Sequence, residues 1–95
     1  MIYVKVGNST EVKSFDGEFT IGTHAECGLM ITGDPYVSVR HARMYPLNRH
    51  WWAEDMGSTN GTYLHYGTTR VNHMLLLRKG DKIRIGHTVL TVVPE

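Results

Sequence analysis

The sequence predicts an all-β protein, built either as a sandwich or as a barrel. About ten short runs rich in β-branched and aromatic residues follow one another at spacings of roughly 8 to 12 residues, which is typical of these folds. Asp16-Gly17 and Asn60-Gly61 separate such runs and predict tight hairpins, because these residue types accept positive φ. No segment keeps a helical period. The run from Met74 to Leu77 could open a helix, but Gly80 ends it within about two turns.

The predicted strands alternate with turns that contain glycine, proline or asparagine. We expect them at residues 2–6, 11–15, 18–21, 29–31, 37–45, 51–53, 63–64, 66–71, 74–77, 82–85 and 88–93. Within the fifth of these, Ala42 and Met44 should lie on one face of the sheet and Arg43 and Tyr45 on the other, because side chains alternate along a strand. The segment 46–49 should turn that strand back into the tryptophan-containing one.

The bulk properties fit one soluble domain over residues 1–95 with a single hydrophobic core. Hydrophobic residues make up 41%, charged residues 20%, and the formal net charge is +1. So small a charge offers no basic surface for nucleic acid or an anionic membrane. Cys27 is the single cysteine, and no apolar run approaches the ~18 residues of a membrane span. We therefore expect an intracellular, cytoplasmic protein without a signal peptide; both a free-standing protein and one domain of a longer chain fit.

The stretch 55–62 holds the densest set of small polar groups in the chain. A two-residue turn needs only Asn60 and Gly61, so the preceding Gly57-Ser58-Thr59 is surplus. A loop with surplus hydroxyls and backbone N–H groups can hold an anion or the main chain of a peptide. The alternative is that the two hydroxyl residues only cap their own turn, and the loop by itself favours this simpler interpretation.

Signatures of catalysis or metal binding are weak or missing. Ser58 stands one place too early for the G-x-S-x-G nucleophile elbow, the chain has no G-K-[ST] of a P-loop, and no two carboxylates are spaced as an acid/base pair. Six histidines are many for this length, but none lies in a zinc-site spacing. They are His24, His41, His50, His65, His73 and His87. We therefore expect neither enzyme activity nor a metal or cofactor.

Two serine-containing segments and one glycine turn could gather at one end of the fold. Residues 38–41 stand at the start of one predicted strand, residues 58–61 stand before another, and Gly22 ends a third. Loops gathered at the end of a rigid β scaffold are a usual place for a binding site. His41 is better interpreted as a structural imidazole bonded to loop backbone, and Asp55 as an acceptor that braces loop N–H groups.

Five motifs in this order resemble the forkhead-associated (FHA) domain family, and the match covers almost the whole chain. They are F-T-I-G at 19–22, V-S-V-R-H-A at 37–42, W-A-E-D at 52–55, G-S-T-N-G-T at 57–62 and L-R-K-G-D-K-I-R-I-G at 77–86. Each motif is weak alone, but the shared order and spacing are specific. The resemblance implies a sandwich of two antiparallel sheets with about eleven short strands, whose loops at one end bind a peptide carrying phosphothreonine. Such domains are non-catalytic and usually lie within larger signalling proteins.

The resemblance also implies roles for single residues. Ser38 matches the serine that bonds the phosphate, Thr59 a second residue on the phosphate side, and Asn60 the asparagine that holds the peptide main chain. The residues that match loop-shaping positions of the family are Gly22, His41, Ser58 and Gly61.

Two positions that face the phosphate in the family are changed in this chain. Thr23 stands where the family usually has arginine, and Val39 where it commonly has a basic residue or asparagine; His65 replaces a frequent asparagine. Losing one charged hydrogen bond to phosphate costs about 1.5 to 3 kcal/mol, or roughly ten- to a hundredfold in affinity. Arg40 is the better candidate for a substitute cation, because strand alternation should point Arg43 away from the loops.

Two hypotheses of different class remain open. In the first, the chain binds threonine-phosphorylated proteins or peptides through a weakened pocket. That pocket would contain Ser38, Arg40, Thr59, Asn60, Thr23 and Val39. In the second, it is a structural protein-interaction domain that docks its partners without phosphate and keeps only a vestigial phosphate site. Both hypotheses imply partners in a signalling or assembly complex, and neither involves nucleic acid or a membrane.

Overall fold

The computed structural model describes residues 1–64, 69–71 and 73–93. These residues form eleven short strands and no helix, so the all-β prediction is confirmed, together with the number of strands that the family resemblance implies. The strands are β1 Ile2–Val6, β2 Val12–Phe15, β3 Phe19–Gly22, β4 Leu29–Met30, β5 Ala42–Leu47, β6 His50–Asp55, β7 Thr62–Leu64, β8 Thr69–Arg70, β9 Leu75–Leu76, β10 Lys82–Ile85 and β11 Thr88–Val92.

The strands form a sandwich of two sheets. The six-stranded sheet has the order β2-β1-β11-β10-β7-β8, and the five-stranded sheet has the order β4-β3-β5-β6-β9. Among the strand pairs that the structure describes, all are antiparallel except β3 and β4, which run parallel with Ile21 opposite Leu29. The predicted antiparallel sheets are therefore confirmed apart from this one short pair.

The hydrophobic core lies between the sheets and follows the two-residue alternation of the strands. In β10, Ile83 and Ile85 point into the core, while Lys82 and Arg84 lie on the outer face. The largest side chains with almost no exposed surface are Ile21, Leu29, Met44, Ile83, Ile85, Leu90, His41, Val4 and Thr62. Two of these are polar, and both adjoin the loops that the sequence singled out.

Both glycine-containing hairpin predictions are wrong. The strands on either side of Asp16-Gly17 lie in different sheets, and so do the strands on either side of Asn60-Gly61. Each segment is a crossing between sheets, since local turn chemistry permits a sharp reversal but does not choose the partner strand. Two-residue hairpin loops occur instead at Gly86-His87 between β10 and β11 and at Asn48-Arg49 between β5 and β6. Both Asn48 and Arg49 have positive φ (54° and 67°).

The strand predicted over residues 37–45 begins and ends later than expected. Residues 38–41 form a loop, and β5 continues to Leu47. Pro46 lies within it opposite Trp51, past the last β5 residue that pairs with β3, so its missing N–H removes no bond to β3. The predicted alternation is confirmed, because Ala42 and Met44 are buried while the guanidinium of Arg43 stacks on the Tyr45 ring on the outer face.

Further along the chain the outcomes are mixed. Residues 75–76 form β9, not a helix, and the predicted segment 66–71 is a strand only at Thr69–Arg70 among its described residues. Residues 66–68 of that prediction, and His65, lie outside the described residues. The apolar run Trp51-Trp52-Ala53 is typical of a buried strand, but only Ala53 is buried, and Trp51 and Trp52 are partly exposed.

The loops and turns that connect the strands lie at two opposite ends of the sandwich. The apical end carries loops 22–28, 31–41 and 56–61 and the turn at 86–87. The basal end carries the turn at 48–49 and the turn at 78–81.

Candidate functional site

A groove of about 360 Å³ lies between two of the apical loops, 31–41 and 56–61. It is lined by Pro35, Tyr36, Val37, Ser38, Val39, Thr59 and Asn60. Four of the six residues predicted to bind a phosphopeptide therefore line one surface, although they come from segments about twenty residues apart in sequence. The remaining two, Thr23 and Arg40, lie in or beside the same loops.

Hydrogen bonds between the two loops hold the groove together. The Thr59 N–H donates to Ser38 Oγ at 3.1 Å, and the Asn60 side-chain amide donates to the Tyr36 carbonyl oxygen at 2.8 Å. Within the described part of the chain, the Ser38 hydroxyl only accepts, so its own hydrogen is left to donate to a ligand. Asn60 keeps one amide hydrogen and its carbonyl oxygen.

His41 is fully buried, and its ring links loops 31–41 and 56–61 through hydrogen bonds. Its Nδ1 accepts the Ser38 N–H at 3.0 Å, and its Nε2 lies 2.7 Å from the Gly61 carbonyl oxygen. Because a backbone N–H can only donate and a carbonyl can only accept, the ring is the neutral tautomer with its hydrogen on Nε2. These are the contacts expected of a structural imidazole.

Asp55 organises loop 56–61, the central loop, by accepting four hydrogen bonds. Its Oδ2 accepts the N–H groups of Gly57 and Ser58, both at 3.0 Å, and its Oδ1 accepts the hydroxyls of Ser58 and Thr62 at 2.6 and 2.7 Å. Burial alone would raise the pKa of this carboxyl, but the bonds from Ser58 and Thr62 outweigh it and lower the pKa of Asp55 below its ordinary value. Ser58 also accepts the Gly61 N–H at 2.9 Å, so this residue does cap its own loop.

Gly22 lets loop 22–28 lie against loop 31–41. A Cβ at this position would overlap the carbonyl oxygen of Val39. The close approach allows the N–H groups of Thr23 and His24 to donate to the carbonyls of Ser38 and Val39, both at 3.2 Å. Thr23 thus stands directly beside the serine, at the place where the family usually has arginine.

No charged side chain lines the groove among the described residues. Arg40 forms an exposed ion pair with Glu26 of loop 22–28, at 3.8 Å. Arg43 is held on the outer face of the five-stranded sheet by Glu54 at 2.7 Å and by Glu18 at 3.2 Å, so it points away from the loops as the sequence predicted.

Asp34 is a second bracing carboxylate, and sequence reasoning missed it. Its Oδ1 accepts the Tyr36 N–H at 3.0 Å, while its Oδ2 accepts the His87 N–H at 2.8 Å and the Thr88 hydroxyl at 2.7 Å. Burial opposes ionisation, but the bonds from Thr88, His87 and Tyr36 prevail and lower the pKa of Asp34. Asp before Pro35 is a turn signal that could have indicated the bond to Tyr36. Nothing local indicates the other two.

Two more residues at the site had no sequence signal. Tyr36 is half exposed and packs edge-on against the His87 ring, with centroids 4.4 Å apart, so the Asp34 contacts also position an aromatic wall of the groove. Arg70 lies beside the central loop, where its Nε would be 3.2 Å from a Cβ added to Gly61. Gly61 has φ of 84°, which favours glycine.

Within the described residues, no group of three or more His, Cys, Asp or Glu side chains could hold a metal ion. In the same part of the chain, no helix is long and apolar enough to cross a membrane.

The sequence model of the FHA domain family matches residues 19–86, which spans most of the sandwich and all the apical loops. The chain belongs to the FHA domain family. It is therefore an interaction module of the FHA type, and the resemblance inferred from the five motifs is confirmed.

Relatives agree with this assignment. FHA domain-containing protein FhaB of Mycolicibacterium smegmatis is 42% identical over 74 residues, which are 78% of this chain and 46% of the relative. FhaB of Mycobacterium tuberculosis is 39% identical over the same shares of each chain. The chain thus spans about half the length of the curated relatives that it matches.

Solved FHA structures share the fold. The FhaA FHA domain, complexed with the intracellular domain of Rv3910, is 26% identical with a TM-score of 0.85 and covers 97% of this chain and 99% of that one. EmbR of Mycobacterium tuberculosis, in complex with a low-affinity phosphopeptide, is 20% identical with a TM-score of 0.85 and covers 99% of this chain and 25% of that one.

Proposed function

We propose that this FHA domain binds threonine-phosphorylated peptides in the apical groove, with Ser38, Thr59 and Asn60 as its principal contacts. The Ser38–Thr59 junction carries the proposal: two loops meet so that one hydroxyl accepts a backbone N–H and keeps its own hydrogen for a ligand. A phosphate offers three strong acceptor oxygens, and the hydroxyls of Ser38 and Thr59 are donors at this junction. The free amide groups of Asn60 suit the main chain of a peptide.

The phosphate affinity should be lower than in an FHA domain with arginine at the position of Thr23. Neither Thr23 nor Val39 carries a charge, and a neutral hydroxyl replaces a guanidinium fork poorly. We expect a deficit of roughly ten- to a hundredfold, from the loss of one charged hydrogen bond. Arg40 is the cation to recruit, because its exposed pair with Glu26 stabilises it by only about 0.2 to 1 kcal/mol.

The relatives support partners of this class. The FHA domain of FhaA forms a complex with the intracellular domain of Rv3910, and EmbR forms one with a low-affinity phosphopeptide. We propose that residues 1–95 act as one FHA domain whose partners are threonine-phosphorylated proteins of a signalling or assembly complex.

A second function, binding without phosphate, is favoured by one specific observation. Tyr36 and Val39 are 50% and 54% exposed at the groove, whose lining is uncharged among the described residues. An uncharged groove with an exposed aromatic and an exposed aliphatic side chain suits an unmodified peptide better than it suits a dianion, and the phosphate site would then be vestigial.

Calorimetric titration with an oriented library of phosphothreonine peptides, paired with unphosphorylated controls, separates the two functions. The proposal expects binding that requires the phosphate, weakened by Ser38→Ala and by Thr59→Ala, and unchanged by Ser14→Ala on exposed strand β2. Thr23→Arg should strengthen it roughly ten- to a hundredfold. Equal binding of both peptide sets, with no gain from Thr23→Arg, would establish the phosphate-independent function instead.

A further inference from the structure

The basal end of the sandwich contains a cavity of about 170 Å³, at the opposite end of the strands from the apical groove. It opens between the two sheets. Its apolar part is formed by Ile2 and Val92 of the six-stranded sheet, by Trp51 of the five-stranded sheet and by Leu77, which directly follows β9. Trp51 is only partly buried and packs against the core, with its ring tilted toward Phe19 at a centroid distance of 6.3 Å.

Backbone hydrogen bonds tie the walls of this basal cavity together. The Leu77 N–H donates to the Trp51 carbonyl at 2.8 Å, the Gly80 N–H to the Val92 carbonyl at 2.7 Å, and the Val93 N–H to the Tyr3 carbonyl at 2.8 Å. The cavity is therefore formed in the free protein, and a ligand does not have to order it, which lowers the cost of binding.

Three cations surround the mouth of the basal cavity. Arg49, Arg78 and Lys79 all line it and are exposed, and none of them has an ion-pair partner among the described residues. The nearest carboxylate in sequence, Asp81, accepts the Arg78 backbone N–H at 2.8 Å. Since the whole chain has a formal charge of only +1, this concentration of positive charge is local.

One of these cations, Arg49, has a strained backbone conformation. Asn48 and Arg49 form the two-residue loop between β5 and β6, and Arg49 has φ of 67°. Glycine is the preferred residue at this position of such a turn, because a side chain is strained there. Backbone strain of this kind clusters at functional sites. Arginine rather than glycine thus stands at the mouth of the cavity.

We propose that the basal cavity binds an acidic peptide segment of a partner protein, with one aromatic side chain inside and its flanking carboxylates on Arg49, Arg78 and Lys79. An apolar protein cavity of about 150 Å³ is known to hold a benzene ring, so the volume suits a single aromatic ring. The Trp51 indole N–H has no acceptor within the described residues, whereas the neighbouring Trp52 donates to the Leu47 carbonyl at 2.9 Å. This site is separate from the apical groove and does not depend on phosphothreonine.

The probe is an unphosphorylated peptide, acetyl-Glu-Asp-Phe-Glu-Asp-amide, titrated into the full chain and followed by ¹H–¹⁵N NMR. We expect saturable shifts at residues 2–3, 49–51, 77–79 and 92–93, with none in loops 31–41 and 56–61. Replacing the peptide phenylalanine with alanine should weaken binding at least about tenfold, since burial of the ring is lost.

Arg49→Gly distinguishes a binding role from a structural one. It removes the charge and the strained side chain together, so thermal stability should hold or rise while peptide affinity falls about two- to fivefold. Lys79→Gln should add a similar loss. Lys13→Gln, an exposed cation on β2, is the matched control and should change nothing.

Three results would overturn this proposal. They are the absence of shifts at millimolar peptide, affinity unchanged in the Arg49→Gly/Lys79→Gln double variant, and shifts at these residues caused by phosphatidylglycerol vesicles or by self-association instead of by the peptide.

Discussion

Two carboxylates brace the two loops of the apical groove, but over very different distances along the chain. Among the described residues, the Asp55 carboxylate accepts hydrogen bonds only from Gly57, Ser58 and Thr62, within seven positions. Asp34 accepts from nearby Tyr36, but also from groups 53 and 54 positions away at the start of β11. The Asp55 bonds therefore connect neighbouring segments, from the end of β6 to the start of β7, while the Asp34 bonds fasten loop 31–41 to a turn that is distant in sequence.

This difference determines what each loop needs in order to open. The Asp55 bonds can break while the strands of both sheets stay paired. Opening of the central loop is therefore local and costs less free energy than global unfolding. The Asp34 bonds join loop 31–41 to the turn between β10 and β11, so losing them separates elements of the two sheets. Two sites with similar chemistry should therefore respond differently to the same substitution.

The largest loss of stability is expected from removing His41, whose ring links loops 31–41 and 56–61. His41→Ala leaves a cavity and strands the Ser38 N–H and the Gly61 carbonyl, at a cost of about 3 to 5 kcal/mol in the free energy of unfolding. Denaturant unfolding measures this loss. His50→Ala, an exposed position at the basal end, is the control and should stay within about 0.5 kcal/mol of wild type. Unchanged stability of His41→Ala would show that the ring is not structural.

Asp34→Ala should come next, with a loss of about 2 to 4 kcal/mol, because two backbone N–H groups and one hydroxyl lose a charged acceptor. The loss should appear in global unfolding measured with denaturant. Hydrogen exchange should also speed up at His87, far from the mutation in sequence. If only residues near position 34 respond, the long-range brace is not what fastens the loop.

Asp55→Ala should cost less in global stability, about 1 to 3 kcal/mol, because the donors on Gly57 and Ser58 can turn to water and the buried Thr62 hydroxyl alone is left without its acceptor. Its main consequence is local. Amide exchange should accelerate at Gly57 and Ser58 while the core strands stay protected, and phosphopeptide binding should weaken because Thr59 and Asn60 lose their fixed positions. Equal acceleration throughout the sheets would contradict a locally closed loop.

The smallest effect is the pH dependence that both braces share. The pKa of each carboxyl is lowered by folding, so each contributes stability above its unfolded pKa, near 3.9. That contribution is lost as the pH falls through the lowered folded-state pKa. Melting temperatures between pH 2 and 7 should therefore decline below about pH 4. Asp34→Asn combined with Asp55→Asn should make this decline shallower, and a decline of wild-type steepness would assign it to other carboxyls.

Asp55 and Asp34 also show which contacts of the site can be predicted from the sequence. Asp55 was identified in advance as a loop brace because its partners lie within the same motif. Asp34 was missed because two of its partners belong to a distant turn. Arg70 and Tyr36 were missed for the same reason, since what places each beside a loop is strand pairing or packing from elsewhere in the chain.

The sequence by itself determined the fold class, the family, the alternation of core residues in β5 and four of the loop residues that line the groove. Each of these follows from residue types a few positions apart, or from motifs in a fixed order. Only the tertiary structure decided which strands pair. Asp16-Gly17 and Asn60-Gly61 have the chemistry of hairpin turns, yet each joins two different sheets. A turn signal specifies a reversal, whereas partners are chosen by burying one face of each strand in a common core.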